Sequence, residues 1–394
     1  VEPVVEPVVE PVVEPVHVNS IMGEGVKFEV GILTNSAPPT PAVFWPSNTA
    51  LNQLNIGVVG DLGTGKTQLV KALIWQLRVK TQQVQPTPLT ALILDYKHDY
   101  QDDEFLAAVN GKVLKPHKIP LDIFRVIGEN SVPNRFMRTN AFIDVLKKIY
   151  AGIGPVQCGK LQTVIMDLYA ASDDPPTLKE VAAAYSAAVP GGDSVTAMLN
   201  NFVLGEVFSS DRSELKTLSE IIDNSVLVLD IEAFGADQQS KNALVALFLN
   251  QYYEYMIQLQ KWPFETAGKI GLRRLNSYLV VDEATNIMEY GFEVLMRILL
   301  QGREYGVGVL LSSQYLDHFS PSGGANYGQP LLTWFIHKVP DVTLVELTRL
   351  GLPSANVGDV TRIKTNPNHV AYYSSLNFAG KFIRGNGFWE RKQD

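Results

Sequence analysis

Gly60, Asp61, Leu62, Gly63, Thr64, Gly65, Lys66 and Thr67 spell GDLGTGKT at 60–67, preceded by IGVVG at 56–60 and continued by TQLVKALIWQLRV at 67–79. The first flank reads as a short buried strand and the second as an amphipathic helix. Strand, glycine-rich turn and helix in this order form a phosphate cradle. Backbone amides from Asp61 to Lys66 converge on the phosphates, and the helix N-terminus adds a field that favours negative charge. Lys66 is expected to reach the β- and γ-phosphates and Thr67 to ligate Mg²⁺, with ATP as the ligand. Gly63 and Gly65 alone would also suit an ordinary tight turn. The amine, the hydroxyl and both flanking elements make phosphate binding the stronger reading.

A second segment, SYLVVDEA at 277–284, carries Asp282 and Glu283 at the end of an apolar strand. Asp282 is expected to hold Mg²⁺ directly or through water, and Glu283 to orient or deprotonate the attacking water. A third, LLSSQ at 310–314, places Gln314 where it can sense the γ-phosphate or polarise that water, with Ser312 and Ser313 in support. Asp230, in LVLDIEAFG at 227–235, competes with Asp282 for the metal. Asp282 is preferred because Glu283 is its neighbour. At the end of TALILDY, 90–96, the residues Asp95, Lys97, His98 and Asp99 read either as nucleotide or neighbour contacts or, more simply, as a polar strand exit and helix cap. For stabilising transition-state charge, Arg303 in QGREYG is preferred, acting across a subunit boundary, over Arg297, Arg273 and Arg274.

Alternating apolar strands and helical patterns predict an α/β fold with a mostly parallel central sheet. Strands are expected at 56–60, 90–96, 225–231, 277–283, 306–314, 331–339 and 369–375, and edge strands or a hairpin at 26–33 and 41–45. Long helices are expected near 237–260 and 288–301, and a shorter acidic one near 341–349. The stretch 133–222 reads as a helical insertion, with helices near 134–150, 158–171, 177–189, 193–207 and 213–222. The chain opens on VEPVVEPVVEPVVEPV, whose prolines favour extended polyproline-like chain, so residues 1–21 are expected as a linker to something larger. The ATPase domain is expected over 22–385, with 386–394 as a tail.

A chain of 394 residues with 46% hydrophobic content can bury a large core. A formal charge of −8 argues against a surface coated for nucleic acid, although it leaves room for a local positive track such as Lys269, Arg273 and Arg274. Cys158 is the single cysteine, which excludes an intrachain disulfide and fits a reducing, cytoplasmic compartment. No uninterrupted apolar run is long enough for a transmembrane segment. The six histidines show no metal-ligand spacing.

GDLGTGKT after a strand, then LILDYKHDY, YLVVDEATN and REYGVGVLLSSQ in that order, resemble the HerA/FtsK superfamily of DNA-pumping ATPases and related conjugation ATPases. The resemblance covers roughly residues 22–385. It implies a RecA-like P-loop ATPase core, assembled as a homo-oligomeric ring, commonly a hexamer, that couples ATP hydrolysis to movement of duplex DNA. Lys66 and Thr67 match its phosphate and Mg²⁺ residues, Asp282 and Glu283 its second nucleotide motif, Gln314 its polar sensor and Arg303 an intersubunit arginine. Thr67 stands where many members have Ser, and either hydroxyl can meet a metal. The first domain of a complete archaeal-type HerA protein is not evident before residue 22. The resemblance therefore suggests a module that supplies DNA to an associated nuclease or other DNA-processing subunit, as in phosphorothioate-dependent restriction systems. Two alternatives stand beside it: a nucleotide-controlled assembly scaffold in a DNA-defence complex, and a conjugation-related ATPase.

Overall fold

The computed structural model describes residues 20–391 apart from 151, 236, 320–324 and 377; the Val-Glu-Pro repeat lies outside the described residues. Among the described residues the strands in chain order are β1 (Phe28–Leu33), β2 (Pro41–Phe44), β3 (Ile56–Val59), β4 (Thr90–Asp95), β5 (Gly111–Leu114), β6 (Val226–Asp230), β7 (Glu265–Ala267), β8 (Ile270–Leu272), β9 (Ser277–Val281), β10 (Val307–Ser313), β11 (Thr333–Ile336), β12 (Val370–Ser375) and β13 (Phe378–Arg384). Eleven of them form one sheet in the order β2-β1-β13-β12-β11-β3-β10-β9-β4-β6-β5, and β7 and β8 pair separately. From β11 to β5 every pairing is parallel, whereas β12, β13, β1 and β2 join antiparallel.

This is an α/β fold with a mostly parallel central sheet flanked by helices, as expected of a RecA-like P-loop core. Its central strands β3, β4, β6, β9, β10 and β11 are buried along their length because both faces are covered. Alternate residues divide between two hydrophobic clusters: Val59, Leu92, Leu94, Leu279 and Val281 join one, and Ile56, Val58, Ile93, Val280 and Leu310 the other. The helix Lys66–Val84 packs on the second face, against β1, β3 and the helix Asp103–Val109. The helix Gln238–Gln258, buried along most of Ser240–Leu249, lies on the other. Asp237 starts that helix by accepting from the amides of Gln239 and Ser240.

The expected insertion is present between β5 and β6 as helices Val132–Ile149, Pro155–Ala171, Leu178–Ala188, Ser194–Leu204 and Leu218–Ile222. Pro155 opens the second of these helices at its first turn, where its missing N–H costs nothing. The long helix expected over 288–301 is instead two, Thr285–Met288 and Glu293–Gln301, separated where Gly291 takes a φ of +58°. The apolar segments at 26–33 and 41–45 do form the edge hairpin, β1 and β2.

Candidate functional site

In a parallel sheet every strand releases its chain at the same edge, so the residues after β3, β4, β9 and β10 share one neighbourhood. β10 lies between β3 and β9, which brings the ends of the P-loop strand and of the acidic strand to either side of Gln314. Backbone bonds extend the ladder past the strands: Gly60 N donates to Ser313 O at 3.3 Å, Asp61 N to Lys338 O at 2.8 Å and Ala284 N to Ser312 O at 2.8 Å. The P-loop and the two exits beside it are thus held to one another by the main chain.

Gly65, at φ +102°, turns the chain into the helix Lys66–Val84. A Cβ there would stand 2.6 Å from His369 Nδ1, so the loop can pass over the imidazole only as glycine. The Lys66 ammonium lies back across its own loop, donating to Gly60 O at 2.5 Å and Asp61 O at 3.1 Å. Burial lowers its pKa, against the opposing charges of Glu283 and Asp282. The Thr67 hydroxyl donates to Asp99 Oδ2 at 3.3 Å.

Asp282 and Glu283 are adjacent, and in an extended strand their side chains would point to opposite faces. Glu283 adopts a φ of +50°, uncommon outside glycine, and this breaks the alternation so that both line the same cavity. The Asp282 carboxyl is 4% exposed, and its pKa rises to about 6 because burial penalises the anion, with the charges of Glu283 and Asp99 adding to that. Glu283 carries an ion pair with Lys97 and accepts from Gln314 Nε2 at 3.4 Å on each oxygen. Burial works to lower the Lys97 ammonium, but its hydrogen bond to Glu283 and the charges of Glu283, Asp282 and Asp99 hold it above its ordinary value.

Leu62 to Gln68, Lys97, Asp99, Asp282, Glu283, His369 and Trp389 enclose about 410 Å³. The residues fit the expected ligand. A glycine loop and two lysines line the cavity, and a hydroxyl and a buried, cation-seeking carboxylate stand beside them. Mg²⁺ characteristically takes one or two carboxylates and fills its remaining positions with water and phosphate. Among the described residues no group of three or more His, Cys, Asp or Glu side chains forms a separate metal site.

Other expected residues lie elsewhere. Asp230 is two strands from β9; it accepts from Ala233 N at 3.1 Å and stands 3.0 Å from His98 Nδ1. Asp95 organises the turn after β4, accepting from the amides of Lys97, Asp99 and Tyr100. Arg303 precedes β10, at the sheet edge opposite Gln314, and donates to Asn52 O at 3.0 Å. Arg297 is exposed on the helix Glu293–Gln301, 3.6 Å from Glu293. The suggested basic track does not form. Arg273 is 3% exposed and donates to Asn48 O and Leu51 O, and Arg274 pairs with Glu265 at 3.0 Å over the Trp262 ring, leaving Lys269 on the β7–β8 turn.

Three cavity residues carried little signal in the sequence. Lys97 read as a strand exit, and only its position two residues past the end of β4 marked it. His369 and Trp389 lie far from every motif and reach the cavity through the antiparallel strands. Residues 386–391, expected as a tail, turn back so that Phe388 packs on Trp75 and Phe105.

No family model matches the sequence, and no curated protein matches it. The fold is similar to that of VirB4 of Thermoanaerobacter pseudethanolicus, with a TM-score of 0.68 and 15% identity over 92% of this chain and 98% of that one. The plasmid coupling protein TrwB in complex with ADP and Mg²⁺ aligns with a TM-score of 0.55 and 12% identity over 92% and 90% of the two chains. An unbound form, described as a bacterial conjugative coupling protein, gives 0.53 and 12% over the same shares. At these identities the likeness is one of fold. Among the described residues no helix is long and apolar enough to cross a membrane.

Proposed function

We propose that this chain is an ATP hydrolase of the conjugation-related kind, working as a homo-oligomer that moves a nucleic-acid or nucleoprotein substrate. One observation carries the chemical part: the P-loop, Asp282, Glu283, Gln314 and Lys97 line or border a single cavity at the exits of adjacent parallel strands. The likeness to VirB4 and to a conjugative coupling protein favours conjugation-type work over a motor feeding a nuclease. Duplex-DNA translocation by a hexameric ring is the narrower form of the same proposal. The buried Arg273 and Arg274 remove the DNA track first considered for it.

Bound ATP and Mg²⁺ would supply the phosphoanhydride to be cleaved and the charge that offsets its phosphates. Lys66 leaves the carbonyls of Gly60 and Asp61 to meet the β- and γ-phosphates. Thr67 and Asp282 would hold the metal. Glu283, steadied by Lys97 and Gln314, orients water and takes its proton. Arg303 is remote from its own chain's cavity, so its catalytic role is assigned to a neighbouring subunit's site.

The test is Mg²⁺-dependent ATP turnover by the full chain, followed across protein concentration with and without single- and double-stranded DNA. Turnover that rises with oligomerisation and again with DNA is the expected result. ATP-driven assembly with no response to DNA would favour a scaffold, and absence of turnover in every assembly state would end the proposal.

A further inference from the structure

The cavity has two chemically different ends, and the sheet order says which is which. From β3, the acids Asp282 and Glu283 lie on the β10–β9 side, while β11, β12 and β13 lie on the other. β12 runs antiparallel to β11, so its start, at His369, returns to the edge where β3 releases the P-loop. β13 runs antiparallel to β12, so its end returns there too, and Gly385 N donates to His369 O at 2.9 Å. Phosphates held with the γ-position toward Glu283 leave the rest of a nucleotide to extend toward His369 and Trp389.

That end is aromatic. The Trp389 ring meets His369 edge-to-face, with centroids 5.2 Å apart at 84°, and it remains 44% exposed. Gly387 is packed against its six-membered ring, where a Cβ would come within 2.8 Å. Phe388 anchors the same short segment on Trp75 and Phe105. His369 is tied to the P-loop itself, its amide donating to Thr64 O at 3.0 Å. An indole fixed on one side and open on the other, at the nucleoside end of a phosphate cavity, is a platform for a planar base.

We propose that Trp389, braced by His369 and Gly387, stacks on the nucleobase and is the affinity-determining residue for the nucleoside part of the ligand. The inference rests on the proposed nucleotide site. Stacking is tolerant of base identity, so Trp389 separates nucleotides from bare polyphosphate far more than ATP from GTP.

The experiment measures the affinity of the full chain for ATP and for inorganic tripolyphosphate, each with Mg²⁺, in wild type, Trp389→Ala and Trp389→Phe. The expected result is a loss of about tenfold or more in ATP affinity for Trp389→Ala, recovered in large part by Trp389→Phe, with tripolyphosphate affinity unchanged. Equal weakening of both ligands in Trp389→Ala would show a structural role and overturn the inference, as would ATP binding that is unaffected. Should Trp389→Ala fail to fold, Trp389→Phe with wild-type ATP affinity and Trp389→Leu with tenfold weaker ATP but unchanged tripolyphosphate would uphold it, and equal affinities in the two would overturn it. Tripolyphosphate binding by wild type with ATP no tighter would sink this inference alone. Binding of neither probe would sink it together with the proposed nucleotide site.

Discussion

The parallel and antiparallel parts of the sheet meet at β11, and the cavity spans their boundary with different chemistry on each side. The parallel part supplies Asp282, Glu283 and Gln314, each within two residues of a strand end, and Lys66, which opens the helix that follows β3. The antiparallel part supplies His369 and, through the segment after β13, Trp389. Parallel strands all release chain at one edge and so concentrate polar groups there. Antiparallel strands alternate edges, and reach the cavity at the start of β12 and the end of β13. The comparison assigns phosphate chemistry to the first part and nucleoside affinity to the second, and substitutions on the two sides should therefore fail in different ways.

The largest expected effect is on the parallel side. Lys66→Ala should lower kcat/KM by roughly 10³–10⁵, combining a lost charged hydrogen bond in binding with lost charge stabilisation in the transition state. Direct nucleotide binding and turnover measured together check this, and near-wild-type values would remove the P-loop from the mechanism. Glu283→Gln should come next, lowering kcat by about 10²–10⁴ while ATP affinity stays close to wild type. Normal turnover in that variant would end the assignment of Glu283 as base.

Lys97 sharpens the comparison because it comes from the parallel side yet lacks a motif. Its ammonium is paired with the Glu283 carboxylate. Lys97→Ala should reduce kcat about tenfold with little change in ATP affinity, and Lys97→Arg should restore part of it. A rise in turnover would mean that Lys97 restrains Glu283 instead of positioning it.

The same division explains what could be read in the chain. GDLGTGKT, SYLVVDE and LLSSQ are local patterns: an apolar strand followed at once by its polar group. Their assembly into one edge follows from strand parallelism. β13 has no comparable signature, because Gly380 and Lys381 interrupt it and only Phe382 and Ile383 are buried. β5, with no fully buried residue, passes unnoticed for the same reason. Arg273 and Arg274 read as a surface cluster because charge is assumed exposed. The fold instead buries them against carbonyls of the Asn48–Leu51 turn and against Glu265. Such contacts join residues more than two hundred positions apart in the case of Arg273, and no local window holds them.

The last expected effect, on stability and not on turnover, tests the seam itself. His337 follows β11, and a Cβ on Gly60 would lie 2.6 Å from its own Cβ, so the imidazole is packed under the first residue of the P-loop. Burial pushes its pKa down to about 3, with the charges of Lys66 and His369 acting in the same direction. The unfolded chain would bind a proton near pH 6.5, and the folded chain would refuse it until about 3. Stability from the neutral imidazole is therefore complete above pH 6.5 and is lost as pH falls toward 3. By pH 5 the loss should be on the order of 2 kcal/mol. Urea unfolding at pH 7 and pH 5 should show wild type losing that much more than His337→Gln, whose side chain does not titrate. Comparing the pH difference within each protein cancels the substitution's own packing cost and the titration of the carboxylates common to both. Parallel losses would mean that the imidazole is hydrated in solution, and the two parts of the sheet would then meet at a wet seam beneath the P-loop instead of a dry one.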